Sequence, residues 1–160
     1  ETYIRANDNE TLFDACNRVD GCVQHCAKAL ELECEIINTP GYLPLQQSDE
    51  LNAYVEKNML AFCNADEIVY NPVSGASGDV GDLSYLIPTI QFGFSGIGGR
   101  FHDDFFHVVD DENCYVTATK VMLGTIYDLL NEKKTHISSH EYERKKAEYL
   151  HIIRTKEDGK

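Results

Sequence analysis

Residues 77–102 read SGDVGDLSYLIPTIQFGFSGIGGRFH. Two carboxylates, Asp79 and Asp82, stand among glycines and serines. An apolar run and a Gly-rich loop follow, and the stretch ends on His102, with Asp103 and Asp104 directly after it. A neutral imidazole beside carboxylates suits a metal ligand, because a neighbouring acid can fix its tautomer. An aspartate loop could hold calcium, but oxygen ligands at alternate positions and a closing glutamate are missing. Glycines ahead of a helix could cradle an anion, but no lysine follows them as a phosphate-binding loop requires. A lone histidine is more often structural than functional. The position of His102 favours a role, since ligands of α/β proteins gather on loops that leave strands. His107, in the following connection, reads as structural.

A second cluster is Cys22, His25 and Cys26, spaced C-x-x-H-C. On a helix the two cysteines share a face, as metal ligands would, but a structural zinc needs four donors and no fourth is evident. The plainer reading makes both cysteines part of an apolar stripe. The six cysteines in 160 residues are too sparse for a disulfide scaffold, and a reducing, cytoplasmic setting is the simpler expectation.

The net charge is −13. Residues 131–160 hold eight basic and six acidic side chains, whereas the other 130 hold six basic and 21 acidic. So acidic a body repels phosphate backbones, which argues against nucleic-acid binding. No apolar run approaches the roughly 20 residues of a membrane span. Glu1 is not an initiator methionine and no secretory signal is visible, so the expectation is a chain that begins inside a longer parent or after removal of a preceding segment.

These residues need elements to position them. Thr2–Arg5 is β-prone, and an apolar stripe from Leu12 to Leu30 predicts a helix over about 9–31, started by Asn7-x-x-Glu10. Glu33–Ile37 reads as a strand, which gives strand–helix–strand, half of a split βαβ unit. Ser48 is expected to cap a second helix. Ile68–Tyr70 and Thr89–Phe94 read as strands, 82–86 as a short helix ended by Pro88, and 71–81 and 95–100 as loops. Asp110 or Asp111 is expected to cap a third long helix, and 132–160 to form a polar, weakly helical tail. The alternation after residue 48 predicts an α/β layer.

With the elements in order, a resemblance emerges. GASGDVGDLSYLIPT, a Gly-rich loop, and FHDDFFHVVDDENCYVTATKVMLGTIYDLL resemble the carboxyl-terminal part of the two-metal zinc metallopeptidases and amidohydrolases, which include aminoacylase, carboxypeptidase G and aminobenzoyl-glutamate hydrolase. The last of these branches carries Ser-Thr-Asp-x-Gly-Asp-x-Ser. Here that segment is Ser77-Gly78-Asp79-Val80-Gly81-Asp82-Leu83-Ser84, with Gly78 in place of Thr. ETYIRA, the long helix and ECEIINTPGYLPL resemble the last strand–helix–strand of the family's lid. The resemblance covers about residues 1–130.

It implies an α/β fold: part of a zinc-peptidase-like catalytic domain (46–131) with helices on a mixed sheet, and a strand–helix–strand remnant of a ferredoxin-like lid or dimerisation domain (1–45), followed outside the resemblance by the polar helical tail (132–160). It implies that His102 is the family's last metal ligand. Ser77, Gly78, Asp79 and Gly81 would line the substrate, and Gly75, Asp82 and Ser84 would shape the loop. The parent would use zinc, or manganese, to hydrolyse an amide or peptide bond of a small carboxylate-bearing substrate, and would dimerise through the lid. The family's Glu-Glu pair is absent, and the single His-x-Asp, His102-Asp103-Asp104, aligns with the final histidine instead. The chain alone is therefore expected to be inactive and to hold no metal tightly. The rival expectation is a non-catalytic interaction or dimerisation module.

Overall fold

The structure is a computed structural model that describes residues 1–70, 77–132 and 137–157, with side chains to residue 154. It is helix-rich, with one small two-stranded antiparallel sheet among the described residues. The chain folds into two compact units. One comprises Glu1–Gln46, Ser74–Ile87 and Ser138–Lys160, and the other Gln47–Val73 and Pro88–Ile137. Both are assembled from non-contiguous segments, where the sequence reading divided the chain contiguously.

The first unit holds α1 (Asn9–Ala29), α3 (Val80–Leu86) and α5 (Ser139–Glu157). Helix α1 starts where Asp8, in an extended conformation, accepts a hydrogen bond from the Thr11 N–H at 2.8 Å. The side chain thereby satisfies one of the orphan donors of the first turn. The cap is thus one residue beyond the expected Asn7. The buried apolar residues are Leu12 and Leu43, and α5 packs on α3.

The second unit is built on α2 (Asp49–Phe62) packed against α4 (Ala118–Glu132). Ser48 caps α2 by accepting from the Leu51 N–H, with Asp49 and Glu50 in the first turn where they complement the helix dipole. Val55 and Asn58 of α2 meet Val121 and Thr125 of α4 in the buried seam. Gly124 lets the helices approach closely, since a Cβ there would stand 2.0 Å from Asn58 Oδ1. A turn of π-helix, Glu112–Thr117, leads into α4. Asp110 starts it by accepting from the Asn113 N–H at 3.1 Å. Strand β1 (Ile97–Gly98) pairs with β2 (His107–Val108), Ile97 opposite Val108 and Gly98 opposite His107.

The expected strands differ. Residues 2–5, 33–37, 68–70 and 89–94 make no ladder, so among the described residues α1 has no sheet to lie on. Of the stripe Leu12, Val19, Val23 and Leu30, only Leu12 is buried. Exposed backbone groups are satisfied by water, so a β-prone run such as 33–37, with Ile37 on the surface, gains nothing from its propensity until a partner strand is supplied. Among the described residues, the one pairing formed is a local hairpin. Among the described residues, no helix is long and apolar enough to cross a membrane.

Candidate functional site

Helix α3 holds Gly81, Asp82 and Ser84 of the residues singled out in the sequence, and Ser77, Gly78 and Asp79 lead into it. It starts at Val80, two residues before the expected Asp82, and stops at Leu86, ahead of Pro88. The Gly81 N–H donates to the Gly78 carbonyl at 3.0 Å and the Leu83 N–H to the Asp79 carbonyl at 3.1 Å. Gly81 consequently lies inside the helix, and neither it nor Gly78 has the positive φ expected of a loop glycine. Among the described residues the positive-φ glycines are Gly96, just before the hairpin, and Gly99, in its turn. Gly75 lies outside the described residues.

One face of α3 clasps the segment Leu43–Gln46. Asp82 Oδ1 accepts from the Leu43 N–H at 2.8 Å, and Ser84 Oγ accepts from the Gln46 N–H at 3.0 Å. The Ser84 hydroxyl in turn donates to the Gly81 carbonyl at 2.5 Å. Gly81 is buried beneath this segment, and a Cβ on it would stand 2.0 Å from the Leu43 carbonyl oxygen. The absence of a side chain therefore serves close backbone approach rather than a turn. Two side chains of one short helix thus secure an otherwise irregular segment in the way a neighbouring strand would. Tyr149 of α5 stands beside Asp82, and burial together with that carboxylate pushes its phenol pKa upward. Burial also raises Tyr85, whose neighbours are Asn9 and Gln46. Ser77 and Asp79 are exposed at the mouth of the helix, with Gly78 between them part-buried. Asp79 makes no side-chain cap bond.

His102 belongs to the second unit, in the turn of the β1–β2 hairpin. It is exposed, with φ +65°, a left-handed conformation uncommon for a side-chain-bearing residue. The turn around it is well tied. The Phe105 N–H donates to Asp103 Oδ1 at 2.9 Å, the Phe106 N–H to the Asp103 carbonyl at 3.0 Å, and the rings of Phe101 and Phe106 lie 5.3 Å apart. Gly99, at φ +88°, sits where a Cβ would meet the Phe105 carbonyl oxygen at 2.4 Å. The hairpin thus presents the His102 imidazole outward on a constrained turn, with Asp103 spent on the turn itself. His107 is on β2, not in the connection, and its Nδ1 lies 2.5 Å from the Phe105 carbonyl oxygen.

The donor set in hand does not make a metal centre. Among the described residues no three His, Cys, Asp or Glu side chains converge on one point, whereas a catalytic zinc takes three protein ligands. Cys22 and Cys26 are exposed on α1, and His25 Nδ1 lies 2.6 Å from the Gly21 carbonyl oxygen. Sequence patterns did not point to Leu43 or Tyr149 as partners of Asp82. Each lies far along the chain, and nothing in its neighbourhood marks it. Compared with family models, curated proteins and solved structures, the chain matches none.

Proposed function

We propose that these 160 residues are the carboxyl-terminal portion of a metal-dependent amidohydrolase or peptidase acting on a small carboxylate-bearing amide or peptide. In that parent, zinc or manganese would be held by His102 together with donors outside this chain. Residues 1–45 would belong to a lid, where the β-prone runs 2–5 and 33–37 would find strand partners, and 46–131 to a catalytic domain with a mixed sheet. Ser77, Gly78 and Asp79 would face the substrate, with Gly81, Asp82 and Ser84 fixing the loop from beneath.

The observation that carries the proposal is the order and spacing of Ser77-Gly78-Asp79-Val80-Gly81-Asp82-Leu83-Ser84, His102 and the long helix of residues 118–132. Two features of the geometry support it. His102 is exposed on a tied turn, as a ligand shared with another segment must be. Asp82 is committed to the Leu43 backbone, which leaves Asp79 as the carboxylate turned to solvent. Since the donors among the described residues do not converge on one point, no step of the reaction is assigned to them.

The test is recovery of the uninterrupted reading frame. An in-frame His-x-Asp and a Glu-Glu pair upstream of Glu1 are expected. The encoded protein should cleave N-acyl amino acids or aminobenzoyl-glutamate, and His102→Ala in it should abolish cleavage. The 160-residue chain should show no turnover with added zinc or manganese and no stoichiometric heat in a zinc titration. A frame without those motifs, full activity in His102→Ala, or turnover by the chain alone would each refute the proposal.

A further inference from the structure

Cysteine is among the most buried residue types, because a thiol behaves as a small hydrophobe. Cys114 is buried and Cys16 and Cys63 are part-buried. Cys22 and Cys26 depart from that rule. Both are exposed, four residues apart on α1, outside any packed apolar stripe. Residues 22–26 are all exposed, and no described residue comes within 4 Å of where a Cβ on Gly21 would lie. Packing therefore gives no reason for two thiols on this turn, and a solute reaches both.

Helix geometry sets what the pair can do. Residues i and i+4 lie one above the other on the same face, with Cβ atoms about 5–6 Å apart. A disulfide needs its Cβ atoms at about 3.5–4.5 Å, so the pair stays as two thiols while α1 is helical. A cation is a longer bridge. Metal–thiolate bonds run to about 2.3 Å, so a cation in line between two sulfurs holds them about 4.6 Å apart. Thiols at i and i+4 reach that span by rotation between staggered χ1 wells, which is open to exposed side chains.

The ligand type then selects the ion. Among the described residues no three metal-binding side chains converge, so the pair does not complete a four-ligand zinc centre. Soft thiolates select Cu(I), a closed-shell ion that is satisfied by two sulfurs in line. The side chain between the two cysteines is compatible. His25 Nδ1 lies 2.6 Å from the Gly21 carbonyl oxygen, which can only accept. The neutral ring therefore carries its proton on Nδ1 and leaves Nε2 a lone pair rather than an N–H. We infer that Cys22 and Cys26 form a two-thiolate site for Cu(I) on the exposed face of α1. On loading, two S–H bonds break and two S–Cu bonds form. Two protons pass to solvent, and the copper stays Cu(I) throughout. The site is independent of the hydrolase reading, because it uses neither His102 nor the segment 77–84.

The test is a competition titration of the full chain, reduced and without oxygen, against the coloured Cu(I)–bicinchoninate complex. The chain should withdraw one equivalent of Cu(I), read as loss of that colour. Cys22→Ser and Cys26→Ser should each weaken the uptake by at least about a hundredfold, the upper end of what loss of an outer-shell partner costs a metal site. Both positions are exposed, so helicity by circular dichroism should stay unchanged. Cys34→Ser is the control, since Cys34 is exposed in the same unit but lies outside the helix, and its uptake should match the unaltered chain. A second measurement needs no variant. One equivalent of Cu(I) should protect Cys22 and Cys26 from alkylation by iodoacetamide, mapped by mass spectrometry, and leave Cys34 reactive. Failure to withdraw copper from bicinchoninate would overturn the inference. So would uptake indifferent to Cys22→Ser, uptake lost equally in Cys34→Ser, or protection spread evenly over the exposed thiols.

Discussion

The carboxylate of Asp82 and the backbone N–H of Leu43, 39 residues apart in the chain, are joined by a 2.8 Å hydrogen bond. Leu43 is one of the most buried residues, at 2% exposure. A charged acceptor on a buried donor is worth more than a neutral one, and removing it leaves the N–H stranded. Asp82→Ala should therefore lower stability by about 1–3 kcal/mol, whereas Asp82→Asn, which keeps an acceptor oxygen, should cost less. Urea denaturation measures both. Hydrogen exchange should show the Leu43 amide losing protection first.

Gly81→Ala sets two effects against each other. In a helix interior alanine is favoured over glycine by about 1 kcal/mol. Here the new methyl would stand 2.0 Å from the Leu43 carbonyl oxygen, a backbone atom that cannot swing aside. Overpacking should win, with a net loss of about 1–3 kcal/mol, read as a fall in Tm. A rise in Tm would show that the Leu43–Gln46 segment does not lie against α3.

Asn58 and Gly124 should behave as a pair. The Asn58 amide donates to the Tyr54 carbonyl at 2.9 Å and to Asp128 Oδ2 at 3.0 Å, while its oxygen occupies the space over Gly124. Gly124→Ala forces that side chain out and should destabilise the α2–α4 seam by about 1–3 kcal/mol. In Asn58→Ala the obstruction is gone, so Gly124→Ala added to it should cost much less. The non-additivity of the double-mutant cycle is the readout.

Two groups set opposite pH limits on the same helix pair. Hydrogen bonds from Lys57 and Asn58 hold Asp128 below its ordinary value of 3.8. A depressed acid contributes stability that is present above the unfolded value and lost as pH falls through the folded one. Asp128→Asn should flatten the acid limb of the stability curve below about pH 4. The hydrogen bond to Glu132 pushes the Tyr54 phenol up to about 12. That contribution is complete below the ordinary value of 10.0 and lost as pH rises through about 12. An absorbance titration of phenolate should show one tyrosine ionising near there, and Tyr54→Phe should remove it.

What the sequence alone determined is the helical layer. The polar residue before a helix and the 3.6-residue apolar period are encoded within a few positions of each other. Hence Ser48 and Asp110 mark their helix starts, the α1 stripe predicts Asn9–Ala29 to within two residues at its end, and Pro88 marks the end of α3. Where local rules compete, the boundary slips by a residue or two, as with Asp8 for Asn7 and Val80 for Asp82. Only the tertiary structure decided which groups those helices serve. β-propensity at 33–37 or 89–94 is a preference that acts only when another strand is aligned beside it, and among the described residues only Ile97–Gly98 and His107–Val108 pair. The acceptor role of Asp82 was legible but its donor was not, because Leu43 carries no local mark of being the N–H that needs it. Likewise His102 is a candidate ligand by its residue type and its neighbours in the sequence. A metal centre is a property of several donors at one point in space, and the distance between segments is what a linear pattern does not contain.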